Sequence, residues 1–150
     1  LYVSLFYFLI LIRGMPEGGW KVILLFFLSI WSNDTFAYFI GKFLGKRLIF
    51  PSISPKKTLE GTMAGFLAGV GTFIGVGYLL DYRVIHLAIL GVLISIFALL
   101  GDLGESLLKR DAKIKDSGKI IFGHGGVLDR FDSTLFTLPI FYFYLKFFIL

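Results

Sequence analysis

The sequence contains no cysteine. That absence excludes a disulfide framework, a thiolate metal site and a thiol nucleophile, so any catalytic metal has to be held mainly by oxygen or imidazole. Histidine is scarce too, with only His86 and His124. The chain does not begin with methionine but opens on Leu1, directly into an apolar run that ends at Ile12. That run has neither a basic flank before it nor a small-residue cleavage site after it, so a signal peptide is not expected. It is also too short to cross about 30 Å of hydrocarbon, which takes roughly 20 helical residues. It reads as the tail of a truncated transmembrane helix, in a chain expected to lack its original start.

Charge is the next shortage. Only 17% of the residues are Asp, Glu, Lys or Arg, against 57% hydrophobic residues and 18 Phe. With a mean hydropathy of +0.85, this is the composition of an integral membrane protein. In a soluble chain the net charge of +5 would suggest nucleic acid. Here the bases sit in short connections between apolar runs, so anionic lipid headgroups and phosphorylated substrates are the expected partners, not nucleic acid.

The apolar runs predict an all-α, polytopic transmembrane helix bundle of about five spans, the first truncated. After Ile12 the turn RGMPEGG leads into a span from Trp20 to about Ile40. Asn33 and Asp34 interrupt it. An ionisable residue inside a span marks a cavity or site by default; the alternative is a helix ending near Ser32, with Asp34 capping a second, shorter one. Gly41 to Gly61 is a polar connection with five bases and one acid. Its Lys56 and Lys57, beside Pro55, suit a phosphate chain, but serve equally well as positive-inside residues on anionic lipid.

Thr62 to Leu80 is the third span. Gly65, Gly69, Gly71, Gly75 and Gly77 recur along it and read as close helix packing, not as a phosphate cradle. Val84 to Leu100 is the fourth span, with His86 at an interface, and Thr134 to Leu150 the fifth, where Lys146 can snorkel. Eleven of the 15 bases fall in the two connections that flank the third and fourth spans. The positive-inside rule makes both of these connections cytoplasmic loops.

The densest charge lies in Gly101 to Ser133, GDLGESLLKRDAKIKDSGKIIFGHGGVLDRFDS, with six acids and six bases. It is expected to be a loop between two spans. Asp129 and Asp132, three apart, share a helix face if the fifth helix begins there, and Asp102 at the end of the fourth can join them through a compact loop. Such carboxylates with phosphate oxygens make a magnesium site. The glycines of Gly123-His124-Gly125-Gly126 let backbone amides approach a phosphate closely. The plainer reading of the whole stretch is a solvated, mutually neutralising surface.

Ser106, Lys109-Arg110, Lys115-Asp116-Ser117-Gly118, His124-Gly125-Gly126, Asp129-Arg130 and Asp132 together form a long pattern of fixed spacing. It closely resembles the C-terminal signature of the phosphatidate cytidylyltransferases, the CDP-diacylglycerol synthases. Asn33-Asp34-Thr35, Ala37-Tyr38, Gly41, Gly45-Lys46, the SPKKT run and Glu60-Gly61 resemble that family's upstream blocks, so the likeness covers roughly residue 31 to the end. One departure is Phe122, where the family generally has proline or a small residue. Another is length, since family members carry additional N-terminal helices; residues 1–150 are therefore expected to form a single transmembrane catalytic domain without them.

The resemblance implies transfer of CMP from CTP to phosphatidic acid, with magnesium and room for a second cation. It implies Asp102, Asp129 and Asp132 as metal ligands, and Ser106, Lys109, Arg110 and Asp116 as catalytic or site-shaping groups. Asp34, Lys56, Lys57, His124, Gly125, Gly126 and Arg130 are the implied substrate-binding residues. Membrane lipids are implied partners, a homodimer is left open, and the compact motifs favour a bacterial inner membrane. Activation of another lipid phosphate, such as an archaeal ether lipid, is the nearest alternative. A transporter is disfavoured because Asp34 is the one acid placed inside a span, and CDP-alcohol phosphotransferases because no helix carries their run of spaced aspartates.

Overall fold

The computed structural model describes residues 2–16, 18–51, 53–113 and 128–149, with the side chains of 2–6, 128–130, 132 and 135 also outside the description. Five helices follow in order: α1 (Tyr2–Arg13), α2 (Gly19–Leu44), α3 (Leu59–Leu79), α4 (Val84–Asp111) and α5 (Leu128–Phe148). Among the described residues the only strand-like pairing is one antiparallel bridge between Leu48 and Thr58. The expected helical bundle is therefore what forms.

α2, α3 and α4 are each long and apolar enough to cross a membrane, and α5 contributes a shorter apolar stretch, Phe136–Phe148. At 1.5 Å per residue the 26 residues of α2 reach about 39 Å, more than a hydrocarbon core requires. Large apolar side chains such as Phe43, Leu67, Leu79 and Phe147 stand exposed on the outside. A surface of that kind is compatible with lipid and not with water.

One alternative falls and one sequence expectation changes. α2 is continuous past Ser32, so Asp34 lies inside a helix and does not cap a second one. The charged stretch from Gly101 is not a loop at its start, because α4 continues to Asp111, and α5 already begins at Leu128. The physical cause lies in the side chains. Glu105 and Lys109 form an i, i+4 ion pair at 2.6 Å, and Lys109 and Arg110 sit in the last turn, where the helix dipole favours cations. Lys113, in a left-handed conformation at φ 54°, ends the run.

The helices pack in the order α2–α3–α4–α5, and α1 closes against α2 and α5. Their buried core is concentrated at one end of the bundle. It joins Leu25, Phe26 and Ile30 of α2, Phe73 of α3, Leu87, Leu90 and Ile94 of α4, and Leu138, Phe141 and Leu145 of α5. Phe141 is its hub, stacked on Phe26 at 4.9 Å and edge-on to Phe73 at 6.0 Å. On the same side, the His86 ring of α4 hydrogen-bonds the Tyr144 hydroxyl of α5 at 3.1 Å. The other end, where α2 leaves and α3 begins, is not filled.

Candidate functional site

The seam between α2 and α3 positions everything at the open end. Asn33, Ala37 and Gly41 recur every four residues on α2 and meet Gly61, Gly65 and Gly69 on α3. A methyl group on Gly65 would lie 2.6 Å from the Asn33 carbonyl oxygen and 2.8 Å from the Ala37 Cβ, and one on Gly61 would lie 2.6 Å from the Ala37 carbonyl oxygen. Only glycine permits that approach. Farther along, Ser29 donates to the Gly69 carbonyl at 2.8 Å and Thr72 donates to the Ser32 hydroxyl at 2.9 Å. The packing reading of the α3 glycines therefore holds for Gly65, Gly69 and Gly77, but Gly71 and Gly75 face open space.

The connection between these helices folds back on itself. Ile49 donates to the Lys57 carbonyl at 3.1 Å and Leu59 to the Arg47 carbonyl at 2.8 Å, around the Leu48–Thr58 bridge. Glu60 fastens it, accepting the backbone N–H groups of Lys46 and Arg47 at 3.1 and 3.2 Å. Thr58 caps α3 by accepting from the Gly61 N–H at 3.2 Å. Arg110, at the end of α4, adds a long 3.4 Å hydrogen bond to the Ile53 carbonyl.

This fold-back places Lys57 against α4, where its ammonium forms an ion pair with the Asp102 carboxylate. Around that pair opens a cavity of about 590 Å³. Asp34, Lys56, Lys57, Ser54 and Asp102 make its polar end, and Ser133, in the second turn of α5, reaches it as well. The rest of the wall is apolar, including Met63, Phe66, Leu67, Ile96, Leu99 and Leu100. A charged head bounded by a greasy wall is the chemistry of a site for an anionic amphiphile.

Several expected residues thus come together: Asp34, Lys56, Lys57 and Asp102 share one cavity. Ser106, Lys109 and Arg110 do not line it. They follow on α4, four, seven and eight residues beyond Asp102, with Lys109 held by Glu105 at 2.6 Å. Asp116, His124, Gly125 and Gly126 lie outside the described residues, as does Phe122. Asp129, Arg130 and Asp132 belong to the first turns of α5, but their side chains lie outside the description. Among the described residues no group of three or more His, Asp or Glu side chains is placed to hold a metal ion.

Sequence reasoning overlooked the locking role of Glu60, which acts across 13 and 14 residues on backbone amides that carry no sequence signal. It also overlooked Ser95, a single hydroxyl residue in an apolar run, and that isolation was the available cue.

The model of the cytidylyltransferase family matches residues 1–148. This chain belongs to the cytidylyltransferase family. Among similar members, the phosphatidate cytidylyltransferase of Bacillus subtilis is 45% identical over 145 residues, covering 95% of this chain and 54% of that protein. The Synechocystis phosphatidate cytidylyltransferase is 49% identical over 137 residues, covering 86% of this chain and 45% of that protein. The Staphylococcus aureus phosphatidate cytidylyltransferase is 45% identical over 124 residues, or 81% of this chain and 48% of that protein. The chain thus spans about half the length of the curated relatives it matches.

Proposed function

We propose that this chain carries the reaction centre of a phosphatidate cytidylyltransferase, which transfers CMP from CTP to phosphatidic acid and releases pyrophosphate. The observation that carries the reading is the cavity itself, with lysines and carboxylates at one end and an apolar wall running into the bundle. The similarity to proteins named for this reaction supports it.

The chemistry asks for little beyond charge and placement. A phosphate oxygen of phosphatidate attacks the α-phosphorus of CTP, the bond from that phosphorus to the bridging oxygen breaks, and pyrophosphate leaves with the electron pair. The nucleophile is already anionic, so no strong base is needed, and catalysis consists of neutralisation and in-line positioning. Lys56 and Lys57 hold phosphate oxygens from the cavity wall, while Lys109 and Arg110 neutralise charge farther along α4 with Ser106 as a hydrogen-bond donor. The family resemblance assigns His124, Gly125, Gly126 and Arg130 to nucleotide binding, and Asp34 and Asp116 to shaping the site.

The donor chemistry fits magnesium. Asp34 and Asp102 present carboxylate oxygens to the cavity, and the first turns of α5, which carry Asp129 and Asp132, reach it through Ser133. Asp102, Asp129 and Asp132 would hold the ion, which supplies positive charge to the reacting phosphates. Because Lys57 touches Asp102, the phosphate-binding ammonium and the metal-binding carboxylate adjoin. The three long apolar helices make the chain an integral membrane protein. We assign it to a bacterial inner membrane, with both basic connections on the cytoplasmic side.

Purified membranes given radiolabelled CTP and phosphatidic acid are expected to form labelled CDP-diacylglycerol with magnesium and none after chelation. Label transfer that needs no lipid phosphate, or that persists in excess chelator, would overturn the reading.

A further inference from the structure

Two hydrogen-bond donors converge on the cavity wall, one on α4 inward of Asp102 and one on α2 beside Asp34. Ser95 lines the cavity and is 2% exposed. Its hydroxyl has no hydrogen-bond partner among the described residues. A buried hydroxyl left unpaired is costly, and a native structure that keeps one there calls for an explanation. Asn33, on α2, also lines the cavity. Between the two stands Gly69: a methyl group there would lie 2.8 Å from the Ser95 Oγ, 3.2 Å from the Asn33 Cβ and 3.4 Å from the Asn33 Nδ2. Without a side chain on Gly69, both residues close onto the α3 backbone, and an O–H and an amide N–H2 come together in one corner of the cavity wall.

The corner's place along the cavity indicates what would use it. Ser95 lies seven residues before Asp102 on α4, about 10 Å deeper along the helix axis. Leu99 and Ile96 of the same helix continue the apolar wall beside it. A lipid phosphate held at Lys57 therefore has its glycerol segment directed toward Ser95 and its chains along the apolar wall. The polar groups a diacyl lipid carries at that depth are ester carbonyls, which accept hydrogen bonds and cannot donate them. Ser95 and Asn33 offer the matching donors, and an ether linkage has no carbonyl to meet them.

We infer that Ser95 and Asn33 form an ester-carbonyl subsite that makes the cavity prefer diacyl over dialkyl phosphatidate. The inference rests on the proposed function for its substrate, but the contact itself is read by binding alone. Ser95→Ala removes a hydroxyl that has no partner among the described residues, so the fold is expected to persist, which a thermal melt in detergent checks.

The test compares this chain and its Ser95→Ala variant with diacyl phosphatidate and with the dialkyl analogue at saturating CTP. Loss of one neutral hydrogen bond should raise KM for the diacyl lipid roughly three- to tenfold, with kcat unchanged and KM for the dialkyl lipid unmoved. An equal effect on both lipids, or none on either, overturns the subsite. Native mass spectrometry of the chain with each lipid, without CTP, reads the same preference independently of turnover. Diacyl preference that disappears in Ser95→Ala supports the subsite even where CMP transfer fails, and equal retention of both lipids overturns it even where transfer proceeds.

Discussion

Lys57 and Asp102 stand 45 residues apart in sequence, yet share an ion pair at the polar end of the cavity. Neither is fully exposed, with side-chain exposures of 19% and 36%. Removing one partner therefore leaves a partly desolvated charge without its nearest counter-ion, which costs stability. Lys57→Met and Asp102→Asn are each expected to lower stability in detergent, and the double variant to lose less than their sum. The coupling should be about 0.5–3 kcal/mol in a thermal-unfolding cycle, and additive losses would show that the two side chains do not interact. If the proposed function holds, all three variants should also lose CMP transfer, since it assigns Lys57 to phosphate and Asp102 to the metal. The two residues were individually legible as candidates for one site, and the structure places both in one cavity. Their pairing was not, because it depends on the fold-back fastened by Glu60.

At the scale of the helix, α3 shows one substitution with opposite signs at two positions. Glycine weakens a helix by roughly 0.5–1 kcal/mol relative to alanine where nothing else intervenes. Gly71 and Gly75 meet nothing within 4 Å, so Gly71→Ala is expected to stabilise this chain by that amount. Gly65→Ala sets a methyl group 2.6 Å from the Asn33 carbonyl oxygen. It should cost about 1–3 kcal/mol by forcing α2 from α3, and move Asp34 with it. Melting temperatures of the two variants in one detergent decide the matter; equal shifts would mean that the seam is not closely packed. The glycine repeat was visible in the sequence and its packing role was inferred correctly in kind. Which glycines pack was hidden, since that depends on the face α3 turns to α2. The helix ends were likewise obscured, because apolarity marks the membrane boundary while hydrogen bonds and charge pairs carried α4 on to Asp111.

For the whole molecule, the distribution of bases predicts how it sits in the membrane. A chain without cysteine gives a clean background for single-cysteine labelling. Lys113→Cys, beyond α4, should react with an impermeant maleimide only after cells are opened. Asp81→Cys, in the turn between α3 and α4, should react in intact cells. The reverse pattern would place the cavity's charged end on the outer face. The bundle, its span order and its basic side were legible because hydropathy and positive charge are summed over many residues and tolerate local errors. The cavity was not, since a void is a property of how four helices fail to meet.

That void and the aromatic core occupy opposite ends of the same helices. Phe26, Phe73 and Phe141 bind α2, α3 and α5 together at one end, while the other is joined through a glycine seam, one ion pair and a folded-back connection. The bundle is thus built like tongs, riveted in stacked rings and open at the tips. On the proposed function, a lipid headgroup would enter between the tips, where the contacts are charged and polar, and leave the rivet untouched.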